Sequence, residues 1–244
     1  MTKIIQSTIS IYVAIGTVAF AIAAYPIAGS AEESAAATES RALNWQAAHL
    51  QAAGKYAEAA DVFERALALC PSAHPWEAAC EASATEHLGN IRQAQGNLPE
   101  AEQLYLRSLR VAEAVFPANH SELVDRVVYI GSLYQMEGRS GDAESWLERA
   151  AKMAEVNEAT DPAKLATALG YLVTLYFGEG RVGEAEPHAR RALALYQTAG
   201  QQGTLAFASA EANLGAVLQT LGQFAEAEAL LRNALAICAW RAQS

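Results

Sequence analysis

The chain has 244 residues, with 17 Lys and Arg against 27 Asp and Glu, for a formal charge of −10 at pH 7. Only 7 residues are proline, alanine, leucine and glutamate dominate, and no run of alternating Val, Ile or Thr argues for a sheet, so the composition is helical. Cations scattered among an excess of acids argue against a nucleic-acid partner, because phosphate binding needs clustered Lys and Arg.

The first 31 residues differ from the rest. Lys3 is the sole charge before Glu32, and an apolar run from Ile9 to Ala24 leads into Tyr25-Pro26 and the small residues Ala28, Gly29, Ser30 and Ala31. Such a stretch reads as a secretory signal peptide cut near Ser30 or Ala31. The rival reading is an uncleaved membrane anchor formed by residues 4–25, although the apolar run falls slightly short of the roughly 20 residues a spanning helix needs. Under either reading Lys3 stays inside and the remainder is exported, to a bacterial periplasm or cell envelope. Residues 32–39 read as a linker.

Beyond it one short stretch returns five times: a glycine, three variable residues, an acid and alanine. The copies start at Gly54, Gly96, Gly138, Gly180 and Gly222, each 42 residues after the last. A strict period means stacked copies of one supersecondary unit, so residues 40–244 form one array. Alignment on the glycines divides it into helix pairs at 40–81, 82–123, 124–165, 166–207 and 208–244. Glycine can take the left-handed conformation that closes helix A. The acids Glu58, Glu100, Asp142, Glu184 and Glu226 then meet the positive end of the helix B dipole, each contributing about 0.3–1 kcal/mol. Pro187 is expected in the first turn of its helix, where a missing N–H costs little.

These units resemble the tetratricopeptide repeat. Helix A carries Leu88-Gly89, Ile130-Gly131 with Tyr134, Tyr176, and Leu214-Gly215. Helix B carries Ala59, Phe63 and Ala66, with counterparts Ala101, Tyr105 and Ser108, or Ala143, Leu147 and Ala150. Arg92, Val173 and Ala189 depart from the pattern, so repeats two and four are expected to pack less well. The resemblance implies an all-α fold, a right-handed α-solenoid of about five antiparallel helix pairs. The period exceeds the family's usual length of about 34 residues, and the segment Phe116–Val124 looks like the longer repeats of kinesin light chains.

Neither the five histidines nor the repeated acids form a catalytic constellation, and no phosphate loop follows a strand. The reading is therefore non-catalytic, with no cofactor and no metal site. Cys70 and Cys80 face each other across a loop. In an oxidising compartment they make a disulfide worth roughly 3 kcal/mol in the chain-entropy picture; otherwise they are two buried small residues.

The resemblance implies that helix A lines a groove for peptides or helices. Three residues before each glycine stand Gln51, Gln93, Gln135, Phe177 and Gln219, and one turn earlier Asn90, Ser132 and Thr174. This floor is polar and uncharged, suited to the backbone of an extended protein or peptide partner; the alternative is a row of merely solvated positions. At the far end Leu230, Leu231, Leu235 and Trp240 are expected to leave an apolar face open to self-association. The functions expected are an exported scaffold, a structural homo-oligomer, or an accessory subunit of an envelope enzyme.

Overall fold

The computed structural model of the protein describes residues 35–70 and 75–241. Among them are ten α-helices and no strand: α1 (Ala35–Ala52), α2 (Tyr56–Leu69), α3 (Pro75–Ala94), α4 (Leu98–Glu113), α5 (Ser121–Met136), α6 (Ser140–Glu155), α7 (Pro162–Gly178), α8 (Val182–Thr198), α9 (Leu205–Thr220) and α10 (Phe224–Arg241). Odd-numbered helices are the A members and even-numbered ones the B members of five pairs. The chain divides after Val115 into two compact units, the first holding α1–α4 and the second α5–α10. The leader or anchor expected at residues 1–31 lies outside the described residues.

The repeated glycine stretch is the joint of each pair. The five glycines take φ between +73° and +78°. In the third pair Gly138 N–H donates to Gln135 O at 3.1 Å and Arg139 N–H donates to Tyr134 O at 2.9 Å, a Schellman closure of α5. The Arg139 carbonyl then accepts from Ala143 N–H at 2.9 Å and opens α6. One residue therefore ends one helix and starts the next, leaving room for little else in the turn. Lys55, Asn97, Arg181 and Gln223 serve the other pairs in the same way.

Packing within a pair follows from one small residue on helix A facing one larger residue on helix B. A Cβ placed on Gly89 would fall 2.6 Å from the Tyr105 ring. One on Gly131 would meet Leu147 Cγ at 2.7 Å, and one on Gly215 would meet Leu231 Cγ at 2.8 Å. The fourth pair reverses the sizes, with Val173 on helix A and Ala189 on helix B, both buried. Volume is thus exchanged across the contact, and the expectation of looser packing from these two residues is corrected. In the first unit Ala47 and Phe63 occupy the same two places, and Phe63 stacks on His87 with ring centroids 4.9 Å apart.

Three boundaries read from the sequence need correction. Helix α1 begins at Ala35, inside the expected linker of residues 32–39, because the Ala-rich run ahead of Ser40 contains no helix breaker. The proposed unit limits at 82, 124, 166 and 208 cut through α3, α5, α7 and α9. The glycines give the period but not its phase, which is set where His120 Nδ1 accepts from Glu122 N–H at 3.2 Å and Thr204 Oγ1 from Phe207 N–H at 3.2 Å. Finally, Pro187 lies beyond the first turn of α8, since Ala185 N–H already bonds Arg181 O at 3.1 Å. Its missing N–H deprives Gly183 O of a helical partner, on a side of α8 that faces solvent.

Exposed ion pairs run between neighbouring pairs of the second unit. Arg181 forms a fork with Glu144 at 2.8 and 3.0 Å, Arg190 reaches Glu226 at 2.8 Å, and Arg191 joins Glu155 and Glu158, each at 2.8 Å. Solvent screens them, so they fix register more than they add stability.

Candidate peptide-binding groove

In the first unit the three candidate residues are drawn inward. Gln51 is buried and its Oε1 has no hydrogen-bond partner, so it offers nothing to a partner at the surface. Asn90 and Gln93, half-buried on α3, both meet the Tyr105 hydroxyl from α4, at 2.6 Å to Asn90 Oδ1 and 2.5 Å to Gln93 Oε1. A phenol has one hydrogen, so one of the two amides turns its NH2 toward the Tyr105 oxygen. Burial, with a smaller contribution from Glu86, raises the Tyr105 pKa far above its ordinary value, and the phenol stays neutral. The pair Asn90 and Gln93 is thus held by the helix-B aromatic that packs on Gly89.

The second unit presents a more open face. Ser132 is buried and donates to Tyr129 O at 2.9 Å, while Thr174 makes the equivalent bond to Tyr171 O at 2.8 Å. Both hydroxyls are therefore satisfied by their own helices. Gln135 on α5 and Thr174 on α7 touch only loosely, with Gln135 Nε2 3.4 Å from Thr174 Oγ1. Phe177, 37% exposed, and Gln219 follow on α7 and α9. Met136, 57% exposed, adjoins Gln135 and was not singled out in the sequence, where its lack of a repeated counterpart hid it.

Arginines stiffen the turns behind this face. Arg139 lies over the Tyr134 ring at 4.0 Å and Arg181 over Tyr176 at 4.2 Å. Arg181 donates to Glu144, Glu179 and Glu184, and its hydrogen bonds hold the Glu144 carboxyl below the usual carboxylate range. Burial and then Glu144 push the Tyr176 hydroxyl up to about 12. Among the described residues no group of three or more His, Cys, Asp or Glu side chains is placed to hold a metal ion, and no helix is long and apolar enough to cross a membrane.

Cys70, at the end of α2, and Cys80, on α3, are joined as a disulfide with Cα atoms 6.1 Å apart. Cys238 is free and half-buried on α10. On that helix Leu230 and Leu231 are half-buried, whereas Leu235 and Trp240 are 69% and 60% exposed.

Stacked antiparallel helix pairs, each closed by the same glycine and facing a polar row on helix A, define an α-helical repeat protein of the interaction-scaffold class. Tetratricopeptide repeat profiles match residues 40–73, 80–155, 126–198 and 208–239. The chain belongs to the tetratricopeptide repeat family. Among solved structures it is similar to BtubC (BKLC) from P. vanneervenii, at 18% identity and a TM-score of 0.64 over 86% of this chain and 90% of that one. It is also similar to the nearly identical TPR-like repeats of a Podosopora anserina chain assigned as a kinesin light chain, at 21% identity and a TM-score of 0.60 over 84% and 97%. A third is Pseudomonas aeruginosa pilF, at 13% identity and a TM-score of 0.62 over 83% and 78%. At such identities the likeness is one of fold. No curated protein matches the sequence.

Proposed function

We propose that the protein is an exported, non-catalytic scaffold that binds a protein or peptide partner through the helix-A face of its second unit. The observation that carries this reading is the uncharged row Gln135, Thr174, Phe177 and Gln219, in which Gln135 is only loosely engaged and Gln219 is exposed. The half-buried amide of Gln135 and the exposed amide of Gln219 offer both donors and acceptors to the backbone of an extended segment, and Phe177 and Met136 supply apolar contact beside them. The helix-A row of the first unit, tied to Tyr105 or buried, serves support more than contact. Export rests on the apolar, cation-headed sequence of residues 1–31 and agrees with a disulfide at Cys70–Cys80.

Affinity capture from envelope extract by the full chain tests the proposal. The triple variant Gln135→Ala, Phe177→Ala, Gln219→Ala is expected to lose most of the partner while keeping its helical circular dichroism. Equal capture by both proteins overturns the groove assignment. A second reading, self-assembly through α10, is favoured by the exposure of Leu235 and Trp240. It requires a mass that rises with concentration in light scattering, and a strict monomer at tens of micromolar removes it.

A further inference from the structure

The disulfide sits in a polar pocket built by the first unit, and that pocket is short of donors. Ser40, fully buried on α1, lies with Oγ 2.8 Å from Ala66 O, 2.7 Å from Cys80 Sγ and 3.2 Å from Cys70 Sγ. Its single hydrogen serves one of three acceptors. Ala66 O is itself an orphan of the helix end, because Cys70 N–H bonds Leu67 O at 3.2 Å instead. One turn along α1 from Ser40, Asn44 directs Nδ2 at Cys80 Sγ over 3.2 Å, while its Oδ1 is buried with no partner. A disulfide brings no hydrogen to these groups, whereas two thiols bring two. Reduced Cys70 has Ala66 O at 3.3 Å as an acceptor for its S–H, and reduced Cys80 has Ser40 Oγ.

The two sulfurs also differ. Cys70 is the C-cap of α2, at the negative end of that helix, where a thiolate is disfavoured. Cys80 lies in the second turn of α3, away from any negative helix end, with the Asn44 amide and the Ser40 hydroxyl able to donate to a thiolate. Both cysteines are half-buried.

We propose that Cys70–Cys80 is a reversible redox site, opened by a low-molecular-weight thiol of the glutathione class that attacks Cys70. The incoming thiolate bonds to Cys70 Sγ, the Cys70–Cys80 bond breaks, and its electron pair leaves on Cys80 as a thiolate. A second thiol then attacks the sulfur of the first, forming an external disulfide and releasing Cys70. Two external thiols are oxidised, the protein disulfide is reduced by two electrons, and the two protons end on Cys70 and Cys80. In the dithiol state α2 and α3 lose their covalent tie, and Ser40 and Asn44 hold both thiols in place.

The test uses the full chain in glutathione redox buffers, quenched in acid, alkylated and read by mass spectrometry. The first mixed disulfide is expected on Cys70, and the reduced protein is expected to keep its helical circular dichroism and to reoxidise completely. Ser40→Ala with Asn44→Leu is expected to slow opening by about tenfold, through the poorer leaving group, and to shift the equilibrium toward the disulfide. A mixed disulfide on Cys80, equal labelling of the two cysteines, or reduction only after unfolding overturns the proposal. The mapping is done on the wild-type chain, so it stands even if the double variant fails to fold.

Discussion

Two helical glycines of the second unit make opposite predictions for the same substitution. Gly131 on α5 faces Leu147, and an added Cβ would lie 2.7 Å from its Cγ and 2.8 Å from its Cδ2. Leu147 is fully buried, so it cannot swing aside without moving α6. Overpacking of this kind costs about 1–3 kcal/mol, offset by roughly 1 kcal/mol of helix propensity that alanine gains over glycine. Gly131→Ala is therefore expected to destabilise by about 0–2 kcal/mol, the upper end being favoured because two Leu147 carbons lie within 2.8 Å of the added Cβ. Gly170 on α7 has nothing within 4 Å of an added Cβ, so Gly170→Ala is expected to stabilise by about 1 kcal/mol. At roughly 2–4 °C per kcal/mol for a chain of this size, the two variants should melt on opposite sides of the wild type. Urea midpoints at unchanged slope would confirm that the folded state is affected. Shifts of the same sign and size would refute the account of how the helix pairs meet.

Further outcomes follow from the same geometry. Pro187→Ala restores the N–H that Gly183 O lacks and is expected to raise the melting temperature, by an equivalent of about 1–3 kcal/mol. Glu211 is buried where the equivalent residues are Val127 and Leu169, and only its Oε1 is bonded, to Asn233. Burial holds its pKa above the ordinary value of 4.5, so its contribution to stability is full below that value and is lost as the pH rises through the raised one. Glu211→Leu should thus stabilise by about 1–3 kcal/mol at pH 8 and by less at pH 5, read from thermal melts at both pH values. Glu144 and Glu226 act in the opposite sense, since Arg181 and Arg190 lower their pKa values. Their contribution holds above about pH 4.5 and disappears as the pH falls through the lowered values, so Arg181→Gln should narrow the loss of stability seen on acidification.

The sequence revealed the joint of each repeat because a single backbone requirement, a left-handed residue after helix A, selects glycine at a fixed interval. It also marked Gly131 and Leu147 as pattern positions of helices A and B through the family resemblance, but not that the two face each other. The phase of the repeats was not legible, because helix starts are set by caps as different as His120 and Thr204, which share one register of the repeat but not one residue type. Nor was the state of the glutamine row. Spacing places Gln51, Gln93, Gln135 and Gln219 at one register, yet Gln51 is buried, Gln93 meets Tyr105, and Gln219 is exposed. Those differences arise from neighbours on other helices, which a period of 42 residues keeps at constant register but not constant chemistry.

The claim that the helix-A face of the second unit receives a partner is tested most directly by placing a photo-crosslinking residue at Gln219, with a control at exposed Glu148 on helix B. Irradiation in envelope extract is expected to give a discrete adduct from position 219 that Phe177→Ala with Gln135→Ala abolishes, and none from position 148. Adducts of equal yield from both positions, or an adduct at 219 indifferent to those substitutions, would contradict it.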